Sequence, residues 1–405
     1  MAGSLKFVEQ GTITDPKGFV AGATFAGMKT YAEDKLDLGI LLSNTPCTAA
    51  GTFTTNSIKS PSILVDQEHL SKGNIRALIA NSGIANACVG AQGLKDAREV
   101  ALLAANHLGI KAEEVLVCST GIIGVELPMA LLRTSISQIK VEEDGGHKLA
   151  RAIVTTDTTI KEASVIFEMK GKTVTVGGVA KGSGMIHPNM ATMLCFLATD
   201  AEINEGLLRK TLNEAVDSSF NMLSVDGDTS TNDTVLVMAN GEAHAGLIEE
   251  GSEAYQLFSQ AITELCITLT KAIAQDGEGA SKLMSVTVEG ASNRLDARMA
   301  ARMVVSSNLV KSAIHGADPN WGRILAALGN SGATISEEKL ALYVNDICIM
   351  EDGKPIPFHR ESVVAVMMGN EVSFRINFNL GDGEATAWGC DLSEEYVTFN
   401  SAYST

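Results

Sequence analysis

Apolar and turn-forming positions alternate in short blocks from the start of the chain. Over the first sixty residues, brief apolar runs are separated by glycine and polar turns, and Asp37-Leu-Gly-Ile-Leu-Leu-Ser43 reads as a strand. Ala80-Asn-Ser-Gly-Ile-Ala-Asn-Ala-Cys88 reads as a glycine- and asparagine-punctuated loop. Amphipathic spacing then predicts a helix over 94–108, stopped by Gly109. Val115-Leu-Val-Cys118 predicts a buried strand, with Ser119-Thr-Gly-Ile-Ile-Gly124 as a small-residue turn after it. Residues 173–180 carry β-branched side chains at alternate positions and lead through a tight connection to a second strand, beginning on Ala191-Thr192 and carried by the apolar run 193–198. Helical spacing returns over 204–220 and 254–274, with a strand at 234–238 between them. From Leu283 the texture changes: strand 285–289, helix 295–312, then strands 340–344 and 371–379 predict a second, smaller α/β unit.

Length agrees with two units, since single cores stop growing at roughly 250–300 residues and this chain has 405. The division falls at 282/283, giving units 1–282 and 283–405. With 45% hydrophobic and 20% charged residues the composition is that of an ordinary globular enzyme. A net charge of −17 speaks against nucleic acid and anionic membranes as partners, while leaving room for a local positive site. Seven scattered cysteines without a Cys-x-x-Cys pair read as buried free thiols in a reducing compartment. The N-terminus lacks the basic head and apolar core of a signal peptide, and no run approaches the roughly 18 apolar residues of a membrane span. A cytoplasmic location is the expectation.

The chemistry centres on Lys181-Gly-Ser-Gly-Met-Ile-His-Pro-Asn-Met-Ala-Thr-Met-Leu194. A threonine at the head of a buried strand is an ordinary packing residue. Breaking the bond before it changes that, because Thr192 then owns a free α-amine beside its hydroxyl; the amine takes the hydroxyl proton and the oxygen attacks a carbonyl. The lysine precedes the glycines, so Lys181-Gly-Ser-Gly does not fit a phosphate-binding loop. Asp226-Gly-Asp-Thr-Ser-Thr-Asn-Asp233 invites a calcium-loop reading but lacks the closing glutamate and flanking helices, and reads as a polar loop supporting the site. The seven histidines show no metal-ligand spacing, and His187 is expected to structure a turn.

The 181–194 stretch resembles the self-cleavage signature of the ornithine acetyltransferases, the ArgJ family, and the resemblance extends from Gly18 to Thr405. It implies an α/β (α+β) fold, an αββα four-layer sandwich with a second, smaller α/β C-terminal domain. It implies self-cleavage at Ala191–Thr192 into an α chain (1–191) and a β chain (192–405), with Thr192 as nucleophile and Thr120 and Gly121 as oxyanion hole. Substrate contacts fall on Thr155, Lys181, Thr192, Glu278, Asn400 and Thr405, with Thr155 the best match in a run of threonines. Lys181 would face the substrate carboxylate and Glu278 its ammonium group. The implied reaction moves an acetyl group from N2-acetylornithine to glutamate in ping-pong order, without metal or cofactor, in an α2β2 assembly. Acetyl-CoA as a further acetyl donor is left open. The rival within the same fold is a self-cleaving aminopeptidase or amidase that releases its acyl group to water. A rival from another class is a non-catalytic binding module whose central threonine is structural.

Overall fold

The computed structural model describes residues 5–29, 35–187 and 193–402. The sixteen-residue strand Leu38–Phe53 is the spine of the larger unit. Its first half pairs antiparallel with Phe19–Thr24 and Ile75–Ile84, and its second half with Thr234–Ala239. One strand of this length thereby joins two sheets. The first holds Phe19–Thr24, Leu38–Phe53, Ile75–Ile84 and Val115–Ile122; the second holds Lys6–Phe7, Lys161–Met169, Lys172–Lys181, Leu194–Thr199 and Thr234–Ala239.

Alternation of side chains decides the layers, because successive residues of a strand point to opposite faces. Leu194, Phe196 and Ala198 meet Leu236, Met238, Leu78 and Leu116 between the sheets. The alternate residues Cys195, Leu197, Val235 and Val237 pack with the helices Glu205–Ser218 and Glu253–Gln275. On the other outer face Ala77, Ile79, Val115 and Val117 pack with the helices Pro61–Lys72 and Gly90–Leu108. The result is helix, sheet, sheet, helix. Both faces of the central strands are covered, so those strands read as continuous apolar runs. Truncating one of their side chains, such as Leu197→Ala, removes about 2–5 kcal/mol.

A seven-stranded sheet forms the rest, in the order Leu223–Ser224, Gly383–Cys390, Leu283–Ala291, Glu371–Asn377, Ala341–Val344, Ile347–Glu351, Lys354–Pro355. All but the first strand come from residues after 282. Leu223 opposite Trp388 ties this sheet to the larger unit, and one apolar core runs from the helix Glu253–Gln275 into it.

The predicted helix stop at Gly109 is observed, although that helix starts at Gly90 and not at 94. Gly109 closes its helix at φ 68°, and Asn204 caps the helix Glu205–Ser218 by accepting from the Leu207 N–H. Elsewhere tertiary pairing overrides local propensity. The stretch predicted as a loop from Ala80 is strand as far as Ile84, and the predicted turn after Cys118 is strand as far as Ile122. These two strands pair in parallel, and the ladder outweighs the turn preference of Asn81, Ser82 and Gly83. The second strand of the central pair starts at Leu194; Ala191 and Thr192, where it was expected to begin, lie outside the described residues. The single helix expected over 295–312 is two, Arg294–Ser306 and Asn308–His315, because Ser307 turns extended and its hydroxyl accepts from the Val310 N–H.

The helix Glu253–Gln275 is long and apolar enough by length and composition to cross a membrane, against expectation. Gln256, Gln260, Glu264, Thr268, Lys271 and Gln275 form an exposed stripe along it, and the opposite side is core. That is the pattern of a helix packed on a sheet. All seven cysteines are free; Cys88 is exposed and Cys348 half-buried, the other five being buried as expected.

Candidate active site

Lys181 ends its strand beside the sheet that carries Thr120 and Gly121, only 3% exposed. Its Nζ donates to Thr155 Oγ1 at 2.8 Å and to Thr120 Oγ1 at 3.3 Å. Thr120 and Gly121 close the strand Val115–Ile122, where the ladder to Ile75–Ile84 becomes irregular at Gly83 and Ile84. Gly121 sits at φ 129°, and a Cβ there would lie 2.2 Å from the Gly83 carbonyl carbon. Only glycine fits this crossing.

Asp157 organises the threonine cluster. Its Oδ1 accepts from Lys161 Nζ at 2.6 Å and from the Gly182 N–H at 2.7 Å. Its Oδ2 accepts from the Thr155 N–H at 3.0 Å and lies 4.0 Å from Lys181 Nζ. Burial opposes this carboxylate's charge, but Lys181 and Lys161 hold it down to about 2. Lys161 also pairs with Asp276 Oδ2 at 2.5 Å, and Asp276 takes the Thr158 N–H at 3.1 Å. Thr158 is thus occupied with structure. Thr155 bonds Lys181, and Thr156 bonds Ser183 at 2.6 Å.

Glu278 follows the helix Glu253–Gln275 and donates its N–H to the Ser183 carbonyl at 2.9 Å. Its carboxyl lies flat on Gly184, where a Cβ would meet it at 2.4 Å. From the C-terminal helix Glu394–Ala402, Asn400 Nδ2 donates to Glu278 Oε2 at 2.9 Å. That helix is fastened where the Ser393 hydroxyl donates to the Gly279 carbonyl at 2.6 Å.

Thr120, Gly121, Thr155, Lys181, Glu278 and Asn400 line one cavity of about 130 Å³. It has room for a small polar molecule and carries both signs of charge on its wall. Ala191, Thr192 and Thr405 lie outside the described residues.

The acidic loop read as a support is one. Asp226 accepts the N–H groups of Met185 at 2.5 Å and Ile186 at 2.8 Å. Asp233 Oδ1 accepts the Met193 N–H at 3.0 Å. Between them they grip both flanks of 188–192. Burial raises both carboxyls, Asp233 well above the usual range. Asn232 reaches across, donating to the carbonyls of Ala85 at 2.6 Å and Ser119 at 2.8 Å, and so ties this loop to the strand bearing Thr120.

Sequence reasoning missed Tyr396 on the cavity wall, and the Lys161–Asp157–Asp276 network behind it. Their signal was weak: Lys161 opens an apolar strand and Asp157 stands inside a run of threonines. His187 is outside the cavity, its ring between Ser224 Oγ at 3.0 Å and Arg302 Nη2 at 3.2 Å, the structural role expected of it.

The ArgJ family model matches residues 20–405. The arginine biosynthesis bifunctional protein ArgJ of Symbiobacterium thermophilum is 49% identical over 397 residues, covering 98% of this chain and 99% of that one. The protein of the same name from Dehalococcoides mccartyi is 45% identical over 405 residues, covering 100% of both. A crystal structure of arginine biosynthesis bifunctional protein ArgJ from Bacillus halodurans superimposes with a TM-score of 0.51 at 41% identity, over 51% of this chain and 98% of that one. The chain therefore belongs to the ArgJ family, and it is an acetyltransferase of arginine biosynthesis.

Proposed function

We propose that this acetyltransferase cuts its own Ala191–Thr192 bond and then carries the acetyl group on Thr192, from N2-acetylornithine to glutamate. The observation that carries this reading is the meeting of Thr120, Gly121, Thr155, Lys181, Glu278 and Asn400 on one cavity, with Asp226 holding Met185 and Ile186 and Asp233 holding Met193. The match of nearly all the B. halodurans chain to about half of this one also supports a chain that exists as two pieces.

In the first step Thr192 Oγ attacks the Ala191 carbonyl; the C–N bond breaks as the ester forms, which frees the Thr192 amine, and water then hydrolyses the ester to the Ala191 carboxylate and the Thr192 hydroxyl. That amine has a reference pKa of about 7.7–8.0, suited to a general base near neutrality. In the second step it takes the hydroxyl proton while Oγ attacks the acetyl carbonyl, with the oxyanion facing the Thr120 hydroxyl and the Gly121 N–H. The proton passes to the departing ornithine amine, leaving acetyl-Thr192. The amine of glutamate attacks this ester and restores the hydroxyl. Lys181 faces the substrate carboxylate and Glu278 its ammonium, with Thr155, Asn400 and Thr405 as further contacts. No metal or prosthetic group enters these steps. Acetyl-CoA as a second donor matches the bifunctional name of the relatives. We place the reaction in the cytoplasm, in an α2β2 assembly; the seven free thiols support a reducing compartment.

Intact mass under denaturing conditions, with N-terminal sequencing, tests the first step: two chains are expected, one beginning Thr192-Met193-Leu194. Incubation with N2-acetylornithine should add one acetyl group to that chain, and glutamate should remove it. Release of the acetyl group at the same rate without glutamate would assign a hydrolase instead. Thr192→Ala should abolish cleavage and transfer; a cut or active variant refutes the reading.

A further inference from the structure

Behind the cavity wall runs a buried line of alternating charge, Asp276, Lys161, Asp157, Lys181. Lys161 Nζ lies 2.5 Å from Asp276 Oδ2 and 2.6 Å from Asp157 Oδ1, and Asp157 Oδ2 lies 4.0 Å from Lys181 Nζ. The side chains of Lys161, Asp157 and Lys181 are 1%, 0% and 4% exposed, so solvent screens them little. The line ends where Lys181 donates to the hydroxyls of Thr155 and Thr120.

An ammonium has three donors and no acceptor, whereas a hydroxyl has one donor and two acceptor sites. While Lys181 is charged, Thr120 can only accept from it, and the Thr120 proton is left for another acceptor. A neutral amine would offer a lone pair and compete for that proton. The charge on Lys181 therefore decides whether Thr120 faces the cavity as a donor.

Given the oxyanion-hole role assigned to Thr120 above, we propose that Asp157 is a positioning residue that keeps Lys181 an ammonium and thereby keeps Thr120 a donor to the developing oxyanion. The Asp157 carboxylate is fixed from four directions, by Lys161 Nζ, by the N–H groups of Gly182 and Thr155, and by the facing Lys181. A carboxylate held from several sides cannot swing away when substrate enters.

The charges facing Lys181 come from several elements. Burial pushes Lys181 down from its ordinary value; Asp157, Glu278 and Asp233 oppose that, while Lys161 adds to it. Lys29 faces it as well, itself lowered to about 8 by burial. Removing the charge of Asp157 should destabilise the ammonium, and removing that of Lys161 should favour it.

The experiment uses the cleaved protein and the pH profile of kcat/KM, whose limbs report ionisations of the free enzyme. Asp157→Asn keeps the shape and an acceptor but loses the charge, and the alkaline limb should move to lower pH by about 1–3 units, the effect of an opposite charge within ~4–6 Å. Lys161→Gln should move the same limb to higher pH. Shifts of opposite sign in folded variants support the proposal. Limbs that stay in place, or move together, overturn it even if activity falls, because looser packing lowers the rate without moving a limb. Should Asp157→Asn not fold, Lys161→Gln decides alone: a limb unmoved or lowered overturns the proposal. A wild-type chain that is uncut, or never acetylated at Thr192, refutes the nucleophile assignment instead, and shows before either variant is made.

Discussion

Asn400, five residues from the end of the chain, donates its side-chain amide to Glu278 across 2.9 Å and 122 positions of sequence. The C-terminal helix therefore completes the wall of the cavity. It also orients a carboxylate that is already pressed against Gly184.

Replacing Asn400 removes one hydrogen bond to a charged group at an exposed position. Asn400→Ala should lower kcat/KM by about 3–10-fold, the range of an ordinary hydrogen bond, because solvent at this exposed position weakens the bond to the charge. Asn400→Asp should cost more, since it sets a second carboxylate beside Glu278. Steady-state kinetics of both variants check the order; equal losses would show that Asn400 acts through helix packing alone.

Two glycines at the site should fail in different ways. A Cβ at Gly184 meets only the mobile end of Glu278, so Gly184→Ala should leave Tm nearly unchanged while kcat/KM falls about tenfold or more. A Cβ at Gly121 meets backbone at Gly83, and the φ of 129° is itself closed to alanine. Gly121→Ala should destabilise the fold by about 1–3 kcal/mol or more. Paired melting curves and kinetics separate the two.

Asn232 satisfies two buried carbonyls at once, those of Ala85 and Ser119. Asn232→Ala should cost about 1–3 kcal/mol for each acceptor left bare. It should also slow turnover, because Thr120 follows Ser119 directly. A variant of unchanged Tm and unchanged kcat would show that water replaces the amide.

The pH dependence of stability has a local component at His187, which burial and the Arg302 guanidinium lower to about 4. The folded protein therefore prefers the neutral ring. The corresponding stability is fully present above the unfolded value of about 6.5 and is lost as pH falls from there through 4. In His187→Gln, Tm should decline less steeply with pH over that window. Parallel Tm–pH curves for wild type and variant would remove His187 as a source.

Much of this molecule is legible in one dimension. The helix predicted over 94–108 and its Gly109 stop obey rules that act within a few residues, and the structure has that helix over Gly90–Leu108 with the same stop. Ala80 to Ile84 and Ser119 to Ile122 misled because their glycines and asparagine favour turns locally, while a parallel partner strand supplies hydrogen bonds that local reading cannot see. Ser307 hid a helix break for the opposite reason: apolar spacing continues across it although its hydroxyl caps the next helix.

Sequence by itself pointed to the ArgJ family, because the run from Lys181 to Leu194 packs special residues into fourteen positions and the family model matches 20–405. It also gave the period of most strands and helices, and so the mixed α/β character of the chain. Only the tertiary structure decided how these parts meet. The split of Leu38–Phe53 between two sheets, the crossing of Gly121 over Gly83, and the burial of Lys161, Asp157 and Lys181 in one ion line depend on neighbours far away in the chain. Charge–charge coupling and close backbone approach are set by distance in space, and distance in space is what a sequence does not state.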